Sequence, residues 1–221
     1  MASAHEATDY LASTFGGAAE LIVVDDGSEA SKAIAESDLP AGARLLTHPT
    51  NVGKGGAVRT GVLGARGTYV VFTDSDLPFS LDPLPTTLAW LEDGADVVIG
   101  DRELTESECA VEVTAMRRLS SFVFTFMVRR IVGLDFLDTQ CGYKGYRTEV
   151  AQRLFERLAV MSFAFDVEVL ARAVRGGYTI RQQPLRLVNN EDTSVRLSRH
   201  APQMIADMLT IAVRARRGEY D

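Results

Sequence analysis

The chain has 221 residues, 46 % of them apolar and 24 % charged, which is ordinary globular composition and enough length for one α/β domain with a substantial core. Its net charge of −7 argues against broad nucleic-acid binding, which needs a basic face. No run reaches the roughly 20 apolar residues of a membrane span, and residues 1–17 lack the basic start and apolar centre of a secretory signal.

Residues 20–24 read as an apolar strand ending at Asp25-Asp26-Gly27-Ser28, followed by a helix over 29–36. A short strand follows at 44–47. Residues 53–65 form a glycine-rich helix start with Val58, Val62 and Leu63 on one face. A β-branched and aromatic strand at 68–73 ends at Asp74-Ser75-Asp76, and a helix over 81–91 leads to a strand at 95–100. This βαβα order predicts a mostly parallel sheet with helices on both faces. The second half differs. A long helical pattern covers 114–132, apolar on more than one face, and a loop covers 138–142. A strand at 143–147, helices at 149–158 and 166–175, a strand over 178–188 and a closing helix over 201–217 complete the chain. Pro184 marks that last strand as an edge. No repeat or linker divides the chain. Cys109 and Cys141 are far apart with no CxxC and read as reduced thiols, and His5, His48 and His200 are too scattered for a zinc site.

The most informative motif is Asp74-Ser75-Asp76. Two carboxylates one residue apart repel each other, and a divalent cation bridging to a phosphate relieves that repulsion; hard oxygen ligands suit Mg²⁺ or Mn²⁺. The carboxyl ends of strands are also where open α/β sheets bind ligands. The plain alternative is a solvated loop that starts the next helix. Asp25-Asp26-Gly27-Ser28 could bind a ribose or base edge, or be a turn with a helix cap. In Asn51-Val52-Gly53-Lys54-Gly55-Gly56-Ala57 the glycines could let backbone amides approach an anion, or let the helix start pack closely on the sheet. Lys54 would serve a diphosphate or only solvation.

Together, DDGS at 25–28, NxGKGxA at 51–57, DSD at 74–76, DTQCGYK at 138–144 and FxFDVE at 163–168 occur in an order that resembles the inverting family 2 glycosyltransferases of GT-A fold. Within them the chain is most similar to the polyprenyl- and dolichyl-phosphate sugar synthases, and DTQCGYK leans toward the dolichyl-phosphate glucosyltransferase branch. The resemblance covers roughly residues 21–217. It implies one GT-A domain over 1–221, with a nucleotide-sugar-binding half (1–113) and an acceptor half (114–221). It implies that Asp25 and Asp26 contact the nucleoside, with Asn51, Gly53 and Lys54 beside the donor. Asp74 and Asp76 would hold Mg²⁺ or Mn²⁺ on the donor diphosphate, Asp76 being the main ligand. Arg102, Arg117 (with Arg118 its rival), Ser121 and Arg196 would receive the acceptor phosphate. Gln140 would line the sugar pocket. Asp76, Arg102, Arg117 and Gln140 form the expected catalytic set. The family normally opens with a strand carrying a Pro-x-Tyr-Asn-Glu-type motif; residues 1–17 contain no such strand, and only His5-Glu6 before the helix-like 7–15 is similar to its tail. The expectation is a late start to the chain or a different base pocket.

The implied reaction moves a hexose, glucose rather than mannose, from UDP-glucose or GDP-mannose to a polyprenyl or dolichyl phosphate with inversion. The acceptor is already anionic, so positioning and charge stabilisation would dominate over general-base work. Leu119, Phe122, Val123, Phe124, Phe126 and Met127, with Arg129 and Arg130, would form an interfacial surface. Arg214, Arg216 and Arg217 would meet anionic lipid. This implies peripheral attachment to the cytoplasmic face of a membrane, directly or through an integral-membrane partner. The competing readings are a GT-A enzyme with a soluble acceptor, and a non-catalytic nucleotide-binding protein suggested by the absent first strand.

Overall fold

In the computed structural model, residues 2–29, 31–109, 115–188 and 197–220 are described, without the side chains of 108–109, 115–120 and 197–201. The chain opens with α1 (Ala2–Phe15). Strand β1 (Ile22–Asp25) pairs in parallel with β2 (Arg44–Thr47), Val23 opposite Leu45 and Asp25 opposite Thr47. Helix α2 (Lys54–Gly64) packs on this pair, and Gly61 and Gly64 let Val24 and Leu46 approach its backbone.

Strands β3 (Tyr69–Thr73) and β4 (Val97–Asp101) join a four-stranded sheet. The short pair β5 (Glu108–Cys109) and β8 (Arg186–Leu187) lies apart from it. With β6 (Tyr143–Arg147) and β7 (Ile180–Pro184), the larger sheet has the order β3-β6-β4-β7. Strand β6 runs against both β3 and β4, while β4 and β7 are parallel. The sheet is therefore mixed: β3, β4 and β7 share one direction and β6 opposes them. Strand β6 comes from the second half of the chain and slots between two strands of the first half. The edge position expected from Pro184 holds, since β7 pairs only with β4 among the described residues. Likewise, β1 and β3 have no ladder between them among the described residues.

The helices are α3 (Leu84–Glu92), α4 (Ala115–Met127), α5 (Thr148–Glu156), α6 (Phe165–Arg175) and α7 (Leu197–Arg216). The single helix expected over 114–132 is instead α4 followed by a π-helical segment, Val128–Val132, which Gly133 ends in the left-handed region at φ 83°. The helix expected over 29–36 does not form. The described residues there turn loosely into a 3-10 turn at Glu36–Asp38, because the Asp25 carboxylate accepts the amides of Ser28 and Ile34 and draws the segment into a loop.

The main core lies between the sheet and α5, α6 and α7. It is built on fully buried Val97 and Ile99 with Tyr146, Phe155, Phe165 and Ile211. Tyr146 meets Phe155 edge-on with ring centres 5.7 Å apart. Helix α6 is buried along most of its length, including Asp166 and Glu168. Glu168 accepts the amides of Ala159 and Val160 and the Tyr220 hydroxyl, which satisfies a carboxylate where water cannot reach. A second cluster joins α1, through Ala7, Tyr10 and Leu11, to Phe79, Cys141 and Leu185 on the other face.

Candidate active site at the ends of β3 and β4

Strand β3 delivers Asp74 and Asp76 to the carboxyl end of the sheet. The turn after Asp74 is tight: Leu77 donates its amide to the Asp74 carbonyl, and Leu77 is a buried non-glycine residue at φ 43°. Such a conformation costs on the order of 1–3 kcal/mol and persists where the surroundings hold it. The Asp74 amide donates to the Gly142 carbonyl at 3.1 Å, joining the acidic loop to the DTQCG loop. A Cβ on Gly142 would lie 2.1 Å from Asp74 Oδ2, so a side chain there would force the Asp74 carboxylate to shift. On its other oxygen, Asp74 meets the Lys54 ammonium at 2.7 Å. Burial disfavours the Lys54 charge, but Asp74, Asp166 and Asp76 outweigh it and raise its pKa.

Strand β4 delivers Arg102. Its Nε and Nη2 bind both oxygens of Asp138 at 2.6 and 2.9 Å, a planar two-point pair. Burial pushes the Asp138 pKa up, yet Arg102 and Lys144 hold it below the usual carboxylate range. The pair therefore pins the start of the DTQCG loop, and Asp138 Oδ1 also accepts the Gln140 amide. Because the folded pKa is depressed, this stabilisation is present above the ordinary aspartate value of 3.8 and is lost as pH falls through the folded value. Asp138→Asn is expected to lower stability by about 2 kcal/mol at neutral pH. In urea titrations the gap to the unmodified protein should close as pH drops below 3.8; a gap independent of pH would contradict this account.

The same loop holds unpartnered polar atoms. Gln140 Nε2, Thr139 Oγ1 and Thr73 Oγ1 are buried without a hydrogen-bond partner among the described residues. Buried polar groups are normally paired, and a polar ligand beside β3 and the DTQCG loop would satisfy these three.

Other expected residues have different surroundings. Asp26 accepts the amides of Val52 and Gly53 and binds His48 Nδ1 at 2.7 Å, while His48 Nε2 meets Thr60. Asp25 is buried, and Ser28 lowers its pKa. Both carboxylates therefore shape their own loops. The glycine-rich segment also differs from an amide cradle. The amides of Val52 and Gly53 are engaged by Asp26, and that of Gly55 donates to the Met161 carbonyl. A Cβ on Gly53, which sits at φ 98°, would come within 2.4 Å of the Met161 oxygen, and one on Gly55 within 2.6 Å of Phe165. Close packing explains these glycines, and the loop's offering to the site is the Lys54 side chain. Asn51 is exposed and Ser121 is half-buried on α4. The Arg117 and Arg118 side chains and all of Arg196 lie outside the described residues.

Sequence reasoning missed four participants: His48, Asp138 as the partner of Arg102, and the buried pair Lys144 and Asp166. Lys144 Nζ lies 2.8 Å from Asp166 Oδ1 and 2.6 Å from the Cys141 carbonyl, beneath the Lys54–Asp74 pair. Asp138, Lys144 and Asp166 all fall inside motifs that the sequence singles out, but their pairing was not legible there.

A metal would find two nearby carboxylates here. Among the described residues no group of three His, Cys, Asp or Glu side chains converges on one point. Mg²⁺-type sites commonly use one or two carboxylates together with substrate phosphates, so the hard oxygen donors of Asp74 and Asp76 fit such an ion.

A β-α sheet with an acidic loop and a lysine-started helix at its carboxyl end is the architecture of a GT-A fold. The family model described as glycosyl transferase family 2 matches residues 4–155, and the chain belongs to that family. It is 29 % identical over 205 residues to a dolichyl-phosphate beta-glucosyltransferase of Dictyostelium discoideum, covering 88 % of this chain and 63 % of that protein. It is 33 % identical over 219 residues to the Mus musculus protein of the same name, covering 91 % and 65 %. The chain thus spans less than two thirds of the length of these relatives. Glucosyl-3-phosphoglycerate synthase from Mycobacterium tuberculosis, solved with Mn²⁺, UDP-glucose and phosphoglyceric acid, superposes with a TM-score of 0.63 at 20 % identity over 96 % of this chain and 75 % of that one. This last likeness speaks to the fold.

Proposed function

We propose that the chain carries the site of a metal-dependent, inverting glucosyltransferase that moves glucose from UDP-glucose to a dolichyl or polyprenyl phosphate. The observation that carries this reading is the convergence of Lys54, Asp74 and the DTQCG loop, with its unpartnered Gln140 amide, at one end of the sheet. The names of the relatives favour glucose over mannose and dolichyl phosphate over a soluble acceptor. We read the chain as one domain, because its main core draws residues from both halves.

In this reading Asp76, with Asp74, would hold a divalent ion that supplies Lewis-acid neutralisation of the leaving diphosphate. Lys54 adds a fixed positive charge beside the same diphosphate. Gln140 orients the sugar through its amide, and Thr139 offers a hydroxyl to it. Arg102 keeps the DTQCG loop in place and presents the rest of its guanidinium toward the acceptor phosphate, with Arg117, Ser121 and Arg196 as further acceptor-side groups. The acceptor phosphate is anionic, so these residues supply orientation and charge balance. In-line attack on the anomeric carbon then gives a β-linked product from an α-linked donor.

No helix among the described residues is long and apolar enough to cross a membrane. Attachment to the cytoplasmic face would be peripheral. Phe122 and Phe126 of α4 are 70 % and 60 % exposed, and Val123 is also exposed. Phe124 and Met127, expected on the same surface, instead pack against the core. Helix α7 presents Ile205, Leu209 and Val213 outward at intervals of four. Apolar faces beside Arg129, Arg130, Arg216 and Arg217 suit an interfacial helix on anionic lipid.

The test begins with calorimetric titration of UDP and GDP, each with Mn²⁺ and with EDTA. UDP binding that requires Mn²⁺ is the expected result, followed by transfer from radiolabelled UDP-glucose to dolichyl phosphate in mixed micelles. Transfer only to soluble phosphoglycerate would replace the lipid acceptor. Binding of neither nucleotide would overturn the catalytic reading in favour of a non-catalytic protein.

A further inference from the structure

The Lys54–Asp74 pair puts a cation of the protein's own where a divalent ion would be expected to act. Lys54 Nζ sits 2.7 Å from Asp74 Oδ1. One oxygen of this carboxylate is thus paired before any ligand arrives. Asp76 and Asp166 also attract the ammonium, and the Phe163 ring lies 5.9 Å from it. Behind Asp166 stands Lys144, fully buried. The charges alternate from the interior outward as Lys144, Asp166, Lys54 and Asp74.

From this arrangement we infer that Lys54 is a resident cation which occupies Asp74 in the empty site and gives it up only when metal and donor diphosphate arrive together. The inference deepens the functional reading above and rests on it for the identity of the diphosphate. A divalent ion alone must displace or face the ammonium across a few ångströms. That opposes its binding by like-charge repulsion. With a diphosphate present the repulsion is relieved, because the freed ammonium gains phosphate oxygens in exchange for Asp74. Asp166 lies close enough to keep the ammonium over the pocket during the exchange. The consequence is ordered occupancy: the site takes metal with nucleotide and resists metal without it. Lys54 is by this account a positioning residue that also sets metal selectivity by occupancy.

The two halves of the inference predict effects of opposite sign. Lys54→Met should bind Mn²⁺ alone about tenfold more tightly or better, because Asp74 then lacks the ammonium that pairs with it. The same variant should bind UDP in saturating Mn²⁺ about tenfold more weakly, because the diphosphate loses a cation. Free Mn²⁺ is read directly from its paramagnetic resonance signal during titration, with no turnover required. Lys54→Arg keeps the charge and should leave Mn²⁺ affinity within about threefold of the unmodified protein. Lys54→Gln serves as the neutral variant if the methionine variant fails to fold, as judged by its melting curve. Unchanged or weaker Mn²⁺ binding in a folded neutral variant would overturn the inference, as would Mn²⁺ binding to neither the parent nor the variant. A failure of the functional reading looks different. The parent protein would then show no Mn²⁺-dependent UDP binding, while the Mn²⁺-only titrations would still report on Lys54.

Discussion

In the proposed glucosyltransferase reading, Asp76→Ala is expected to lower glucosyl transfer at least a thousandfold while moving the melting temperature by no more than a few degrees. The first half of this expectation comes from the leaving group. Departure of a nucleoside diphosphate concentrates negative charge, and a divalent ion that neutralises it is worth several kcal/mol. Each 1.36 kcal/mol is tenfold in rate, so if Asp76 is the ion's main carboxylate, as proposed, its loss removes roughly three orders of magnitude. Asp74 cannot substitute readily, because Lys54 is already paired with it. The second half comes from location. Asp76 stands outside the hydrophobic clusters, on a turn whose shape is held by the Leu77-to-Asp74 backbone bond and by burial of Leu77. Substitutions away from core packing usually change stability by about 0.5 kcal/mol, or a degree or two in a chain of this size. The measurement is transfer from radiolabelled UDP-glucose to dolichyl phosphate, beside a calorimetric melt. A variant retaining a tenth of the activity would remove Asp76 from the metal site.

The elements that could be read from the sequence are those decided by local pattern. The β-branched run ending at Asp74, the apolar strand before Asp25 and the helix at 166–175 all follow from composition over five to ten residues. The DSD motif could be placed at the sheet's carboxyl end because strand direction follows from βα order. What could not be read was decided by partners distant in the chain. Asp26 lies 22 residues from His48 and 27 from Gly53, and those bonds make it a brace for its loop. The same carboxylate, with the Met161 carbonyl, engages amides that glycine-rich sequence would assign to a phosphate. Asp25 prevents a helix over 29–36 by capturing the amides of Ser28 and Ile34. Strand β6 has the pattern of any buried strand, and nothing in five residues announces that it opposes both neighbours. Arg102 shows the limit most plainly. An arginine after a strand is visible in the sequence, but its pairing with Asp138, 36 residues away, decides whether it holds a loop or only waits for a phosphate.

Removing the buried cation beneath the site is expected to produce the largest change in stability. Lys144 and Asp166 are 0 % and 2 % exposed at their side chains and lie 2.8 Å apart. Burial raises the Asp166 pKa; Lys144 and then Lys54 pull against that, and nearby Asp74 adds to it. Lys144→Met therefore leaves a carboxylate in a dry interior with only Lys54 to balance it. Breaking a buried pair in this way costs about 3–5 kcal/mol, or roughly 6–20 °C in melting temperature for a domain of this size. Sign matters for the pH dependence. A carboxyl whose folded pKa is raised favours the folded state most when protonated, so its contribution weakens as pH rises through the folded value. The Lys144→Met variant should recover part of its loss on mild acidification, as Asp166 takes up a proton. Lys144→Met combined with Asp166→Leu removes both charges and should be closer to the parent than the single variant, since paired apolar replacements of buried ions are often neutral. Urea midpoints for the parent, the single and the double variant, at neutral and mildly acidic pH, form the test. A single variant as stable as the parent would mean that Asp166 is neutral in the folded protein, and the alternating chain of charges that positions Lys54 would lose its base.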